Sequence, residues 1–198
     1  ESRESPKLVS WIDTYVEDSE VPALSVDQIE KLTDYARCAR DKAIVMTLFE
    51  TGARAEEFLN IRLRNVEERQ GHYSLRIEVS KTFPRTVMVY KAAAHLRTWL
   101  REHPCAGETE AQLFPVEYPA LSRMLSRLGG RVLKSKRVTP HVLRHSCATW
   151  LASKGVGRYQ ICKWMGWAMS SRMPDRYIDR AGVESEETMN MLREDELA

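Results

Sequence analysis

The chain has 198 residues, 43% of them hydrophobic and 29% charged, with a formal net charge of +2. That length and balance fit one well-packed domain and exclude a disordered or fibrous chain. No apolar run reaches membrane-spanning length, the first twenty residues lack the basic start and apolar centre of a signal peptide, and Cys38, Cys105, Cys147 and Cys162 form no C-x-x-C pair.

Residues 1–20 read as a leader or linker, and a first residue that is Glu rather than Met suggests a piece cut from something longer. Ser25 and Gln28 have capping-box spacing, and Ile29, Leu32 and Ala36 follow at helical intervals, so a helix is expected over 26–39. A second is expected over 41–51, ended by a left-handed cap at Gly52, and a short third over 55–60. The period then changes to two: Tyr73, Leu75, Ile77 and Val79 alternate with polar residues, and 86–90 offers a partner strand. Lys81 falls at the edge of that β-hairpin.

Helical character returns over 92–102 and again over 119–128, where Leu121, Met124, Leu125 and Leu128 make one stripe before a break at Gly129-Gly130. Thr139-Pro140 is an N-cap followed by proline at the first helical position, and Gly155 a stop, which predicts a helix over 140–154. Short helices follow over 159–165 and 174–180. Residues 184–198 are acidic and amphipathic, a candidate docking helix or, alternatively, a frayed tail.

Charge is unevenly placed. Of the 30 Lys and Arg residues, 11 lie between Tyr118 and Pro174, a tract without Asp or Glu, leaving 19 basic against 28 acidic residues elsewhere. Such a tract on a foldable sequence is the footprint expected of a phosphate-backbone contact, and its candidates are Arg123, Arg127, Lys134, Lys136, Arg137 and Arg158. A solvated face explains the composition equally well. His141 and His145 have the i, i+4 spacing of metal ligands, but the Glu of a zinc-protease motif and a third ligand are missing, so no metal is assigned.

Two boxes in order change what these residues mean. Thr51-Gly52-Ala53-Arg54-Ala55-Glu56-Glu57 resembles the "T-G-x-R-x-x-E" box of the tyrosine recombinases, and His141-Val142-Leu143-Arg144-His145 is similar to their "H-x-L-R-H" box. Lys81 sits on the hairpin between them, Met165-Gly166-Trp167 corresponds to the family's "L-G-H" segment, and Tyr177 falls where the nucleophile belongs. Trp167 replaces the more usual histidine, as in the Cre and Flp branches. With "M-P-D-R-Y" following, the pattern looks most like integrases of archaeal plasmids and viruses.

The resemblance implies a mainly α fold with a small antiparallel β-sheet, the DNA breaking-rejoining fold. It also implies a catalytic domain over 21–182 and a tail over 183–198 that docks on a neighbouring protomer; the family's N-terminal DNA clamp is not in the sequence. Arg54 and Arg144 would clamp the phosphate, His141 take the proton of Tyr177, Lys81 protonate the leaving 5′-oxygen, and Trp167 position the phosphate. His145 is read as structural, and Arg85 competes with Lys81 as the hairpin's phosphate-facing cation.

The implied activity is site-specific DNA recombination in a DNA-bound tetramer, without metal, ATP, cofactor, small-molecule substrate or membrane, in the cytoplasm or on the nucleoid. The alternatives are a catalytically inactive DNA-binding module and a type IB topoisomerase-like enzyme.

Overall fold

The computed structural model describes residues 23–134 and 137–181. The expected leader, the tail and Lys136 therefore lie outside the described residues. Within them, eight α-helices, one 3-10 turn and one small sheet enclose a single hydrophobic core.

Helix α1 (Val26–Tyr35) starts at the expected capping box, with Ser25 and Gln28 each bonding the other's backbone N–H. It stops earlier than the periodicity predicts, because Ala36 turns extended and breaks the run before Cys38 opens α2 (Ala39–Thr51). Every residue of α2 from Ala43 to Thr51 is buried, so this helix is the central strut, packed against α1, α4 (Ala93–Glu102) and α6 (Pro140–Ser153). It ends, as expected, on Gly52 in the left-handed region (φ 56°).

Glycine is required there twice over. A Cβ on Gly52 would stand 2.7 Å from Met165 Sδ and 2.9 Å from Cys147 Sγ, so the turn needs both the backbone freedom and the missing side chain. Helix α3 (Ala55–Leu59) follows immediately.

The hairpin is present as β2 (His72–Ile77) and β3 (Arg85–Val89), with Leu75 opposite Val87. A third strand, β1 (Val66–Arg69), extends it to an antiparallel β1-β2-β3 meander. Its Glu67, Glu68 and Arg69 are all exposed, so it carries no alternating signal to be read from sequence. Glu50 ties α2 to the far end of the sheet: its buried carboxylate accepts the backbone N–H groups of Tyr90, Lys91 and Ala92 at 2.9, 3.1 and 2.9 Å. Burial lifts its pKa above the usual value, and those three N–H groups offset part of the rise.

Helix α5 (Tyr118–Val132) runs straight through Gly129-Gly130, where a break was expected. Two glycines cost about 1 kcal/mol each in a helix, which the apolar stripe of Leu121, Leu125 and Leu128 offsets by burial. Helix α6 begins on the Thr139 cap and Pro140 as predicted, and α7 (Arg158–Met165) and α8 (Met173–Ala181) close the described fold. No helix among the described residues is long and apolar enough to cross a membrane.

Candidate active site

Five elements meet around one patch: the α2–α3 turn, the β2–β3 loop, the first two turns of α6, the α7–α8 turn and α8. Arg54 opens α3 directly after the Gly52 turn, and its side chain stays one-third exposed. It donates to Glu57 Oε1 at 3.0 Å, while its own backbone N–H bonds Glu57 Oε2 at 3.0 Å, so this carboxylate fixes both ends of the arginine. Glu57 is also the buried partner of Arg85, which donates to Oε2 at 2.8 Å. Although burial opposes the charge on Glu57, the Arg85 guanidinium and the surrounding hydrogen bonds hold its carboxyl at about 2.

That pair separates the two hairpin cations by depth. Arg85 is almost wholly buried, donating to Glu57, to the Trp164 carbonyl at 2.8 Å and to Ser80 Oγ at 3.4 Å, so it braces the site from behind. Lys81 is exposed on the loop. Its neighbours bolt that loop to both sides of the site: Ser80 donates to Glu57 Oε1 at 2.8 Å, and Thr82 donates to the Gly166 carbonyl at 2.7 Å.

Arg144 is 8% exposed and lies deeper than Arg54. Its guanidinium donates to the Gly52 carbonyl and, at 2.8 Å, to the Met165 carbonyl, joining the two motif turns across the core. Burial, together with the like charge of Arg54, pulls Arg144 down to about 9, which still leaves it cationic at pH 7. Two guanidiniums that repel one another across a surface patch form a site that favours an anion.

Trp167 follows Gly166, a second left-handed glycine whose added Cβ would meet Arg85 Nη1 at 2.5 Å. The indole lies 5.5 Å from the Arg144 guanidinium and stacks on Tyr177, with ring centroids 5.7 Å apart and planes 18° from parallel. Tyr177 comes from α8, anchored by buried Pro174 and Ile178. Its hydroxyl lies 3.0 Å from His145 Nδ1. Burial pushes the phenol above its usual pKa while Arg144, Arg180 and Arg176 pull the other way, so Tyr177 is protonated at neutral pH.

The structure thus brings Arg54, Arg144, Trp167 and Tyr177 together, with Lys81 on a loop anchored to the same residues. His141 is exposed, one helical turn before His145 on the same face of α6, and the hydroxyl of Tyr177 rests on His145 instead. Sequence reasoning gave His145 only a structural part and gave Glu57 none, although Glu57 stands inside the quoted box.

Of the expected backbone-contact residues, Arg123 and Arg127 are exposed on α5 and line an open groove of about 480 Å³ with Arg40, Asp41 and Glu117. Lys134 and Arg137 are exposed as well. Arg158 also has partners within the fold. It donates to Asp175 Oδ1 at 2.7 Å and to the carbonyls of Met169 and Ser171 at 3.0 and 2.6 Å, latching α7 to the start of α8. All four cysteines are free, and the described residues hold no cluster of three or more potential metal-ligating side chains.

Residues 22–183 match the phage integrase family. The chain belongs to this family. Among curated phage integrase relatives, tyrosine recombinase XerA of Saccharolobus solfataricus is 28% identical over 167 residues, covering 81% of this chain and 55% of that protein. Transposase A from transposon Tn554 of Staphylococcus aureus is 23% identical, covering 90% and 54%. The chain therefore spans about half the length of these relatives.

Among solved structures, XerA recombinase superposes with a TM-score of 0.72 at 26% identity, covering 87% of this chain and 65% of that one. The catalytic domain of bacteriophage HP1 integrase shares the fold at a TM-score of 0.61 and 22% identity, covering 86% and 95%.

Proposed function

We propose that this domain is the catalytic part of a site-specific DNA recombinase that cuts and rejoins strands through a 3′-phosphotyrosine. The observation that carries this reading is the column formed by the Arg144 guanidinium, the Trp167 indole and the Tyr177 phenol, which delivers a nucleophile beside two cationic clamps. A structure of the XerH recombinase with the same fold is bound to its palindromic difH substrate in a post-cleavage complex, which supports extending DNA as substrate to this chain.

In this reading Arg54 and Arg144 hold the non-bridging phosphate oxygens, where negative charge builds as phosphorus becomes five-coordinate. The Tyr177 oxygen bonds to phosphorus and its proton passes to His141. The bond from phosphorus to the 5′-oxygen breaks, and Lys81 gives that oxygen a proton, because an alkoxide is a poor leaving group. One phosphate ester replaces another, so the bond energy is kept and rejoining needs no nucleotide. Trp167 shapes the phosphate site and transfers no proton.

Double-stranded DNA at a defined site is the partner, read by the basic surface of α5 and Arg137, in a homotetramer in which residues 183–198 dock on a neighbour. Integration of a mobile or viral element is the biological setting that the motif pattern suggests.

The deciding experiment incubates the protein with nicked duplexes selected from a randomised pool and looks for an adduct stable to detergent. Peptide mapping should place the modification on Tyr177, and Tyr177→Phe should abolish it. An adduct on another residue, or none, would refute the assignment.

A further inference from the structure

We propose that His145 is the seat of the nucleophile: through Nδ1 it holds the Tyr177 hydroxyl beside the arginine clamp, acting as a positioning residue. This rests on the recombinase reading above and adds a residue that the reading does not use.

The argument starts from what fixes a phenol in place. Helix α8 sets the Tyr177 backbone through the burial of Pro174 and Ile178 and through the Arg158–Asp175 ion pair at 2.7 Å, but the side-chain torsions still need a partner at the ring and one at the oxygen. Trp167 supplies the first, stacked at 18°. His145 supplies the second, at 3.0 Å from the hydroxyl with its ring tilted 52° to the phenol. A contact of that length lies inside hydrogen-bond range.

His145 is itself firmly placed. Its predecessor Arg144 is pinned by the carbonyls of Gly52 and Met165, and its own carbonyl accepts the Thr149 hydroxyl at 3.0 Å. One peptide unit of α6 therefore sets the hydroxyl of the nucleophile relative to the guanidinium of the clamp.

The protonated phenol donates and Nδ1 accepts, which requires the imidazole to be neutral with its proton on Nε2. The two histidines of the box thus divide the work. His145 holds the hydroxyl before attack, and His141, exposed one turn nearer the start of α6, is left to take the proton.

The test compares His145→Phe, which keeps a ring and removes the acceptor, with His145→Asn, whose short side chain places an acceptor near the position of Nδ1. Adduct formation is followed on the selected nicked duplex at saturating protein, alongside DNA affinity and thermal melting. Misplacing a reacting group by about 1 Å costs on the order of 100-fold in rate, so His145→Phe should form the adduct about 100-fold more slowly with unchanged DNA affinity. His145→Asn should return to within about tenfold of the parent.

Cleavage by His145→Phe at the parental rate or faster overturns the proposal, as does His145→Asn no faster than His145→Phe. If the parent forms no adduct that depends on Tyr177, the recombinase reading fails and takes this inference with it. A parental adduct with an indifferent His145 removes the inference alone.

Discussion

Replacing Glu57 by Gln should lower stability by about 3 kcal/mol at pH 7, and the loss should shrink in acid. The magnitude comes from the carboxyl being held at about 2 against an ordinary 4.5. Each tenfold bias in a protonation equilibrium is worth about 1.4 kcal/mol, so the ionised form is favoured by about 3 kcal/mol in the folded chain. An independent route gives the same size. The Arg85 and Glu57 side chains are 4% and 3% exposed, and removing one partner of such a pair typically costs about 3–5 kcal/mol, because the other charge is left without an anion.

The folded value is the lower one, so this stabilisation is complete above the unfolded value of 4.5 and is lost as pH falls toward 2. Gln cannot titrate, so the gap between parent and Glu57→Gln should be flat from pH 6 to 8 and fall to about 1.4 kcal/mol at pH 3. Urea unfolding followed at pH 7 and pH 3, with equal slopes for the two proteins, measures it. A gap below about 1 kcal/mol at pH 7, or one as large at pH 3, would refute the view that Glu57 is the buried anion organising Arg54 and Arg85.

Lys81→Ala should cleave an ordinary phosphodiester far more slowly, by about 100-fold or more, and should recover on a substrate whose 5′-bridging oxygen is sulfur, since a thiolate leaves without a proton. Failure of sulfur to rescue would remove Lys81 from the acid role. Gly52→Ala should destabilise by about 2–5 kcal/mol, combining left-handed backbone strain with the collision against Met165 and Cys147; a loss under about 1 kcal/mol in a chemical melt would contradict that packing. Mixing Tyr177→Phe with Arg144→Gln should yield no adduct, because Tyr177 reaches His145 of its own chain at 3.0 Å; an adduct in the mixture would mean that the tyrosine serves a neighbour's clamp.

The parts of the site that were legible in the sequence are those where backbone geometry dictates a residue type. Gly52 is readable as a left-handed cap, and with it the position of Arg54 at the next helix start. Thr139-Pro140 similarly fixes where α6 begins, and so puts His141, Arg144 and His145 on one face of its first two turns. What could not be read depends on depth. Lys81 and Arg85 are both cations on one hairpin, and only the packed structure shows one exposed and the other sealed against Glu57 and the Trp164 carbonyl. Local rules failed at Gly129-Gly130 because burial of the α5 stripe outweighs the glycine penalty, and at β1 because a charged edge strand looks like a loop.

The burial of Arg144 follows from how two other helices end. Helices α2 and α7 both stop at a left-handed glycine, Gly52 and Gly166, and each leaves carbonyls without intrahelical partners at its negative end. The Arg144 guanidinium accepts neither charge nor proton there; it donates to one carbonyl from each, Gly52 and Met165, and so satisfies both helix ends while they in turn offset the cost of burying a cation. Arg144→Lys would therefore remove more than a phosphate contact, because a point-like ammonium cannot span both carbonyls. In the proposed clamp, then, Arg54, one-third exposed and bonded to Glu57, is the outer arm, whereas Arg144 is the buried arm beside which Trp167 and Tyr177 are stacked.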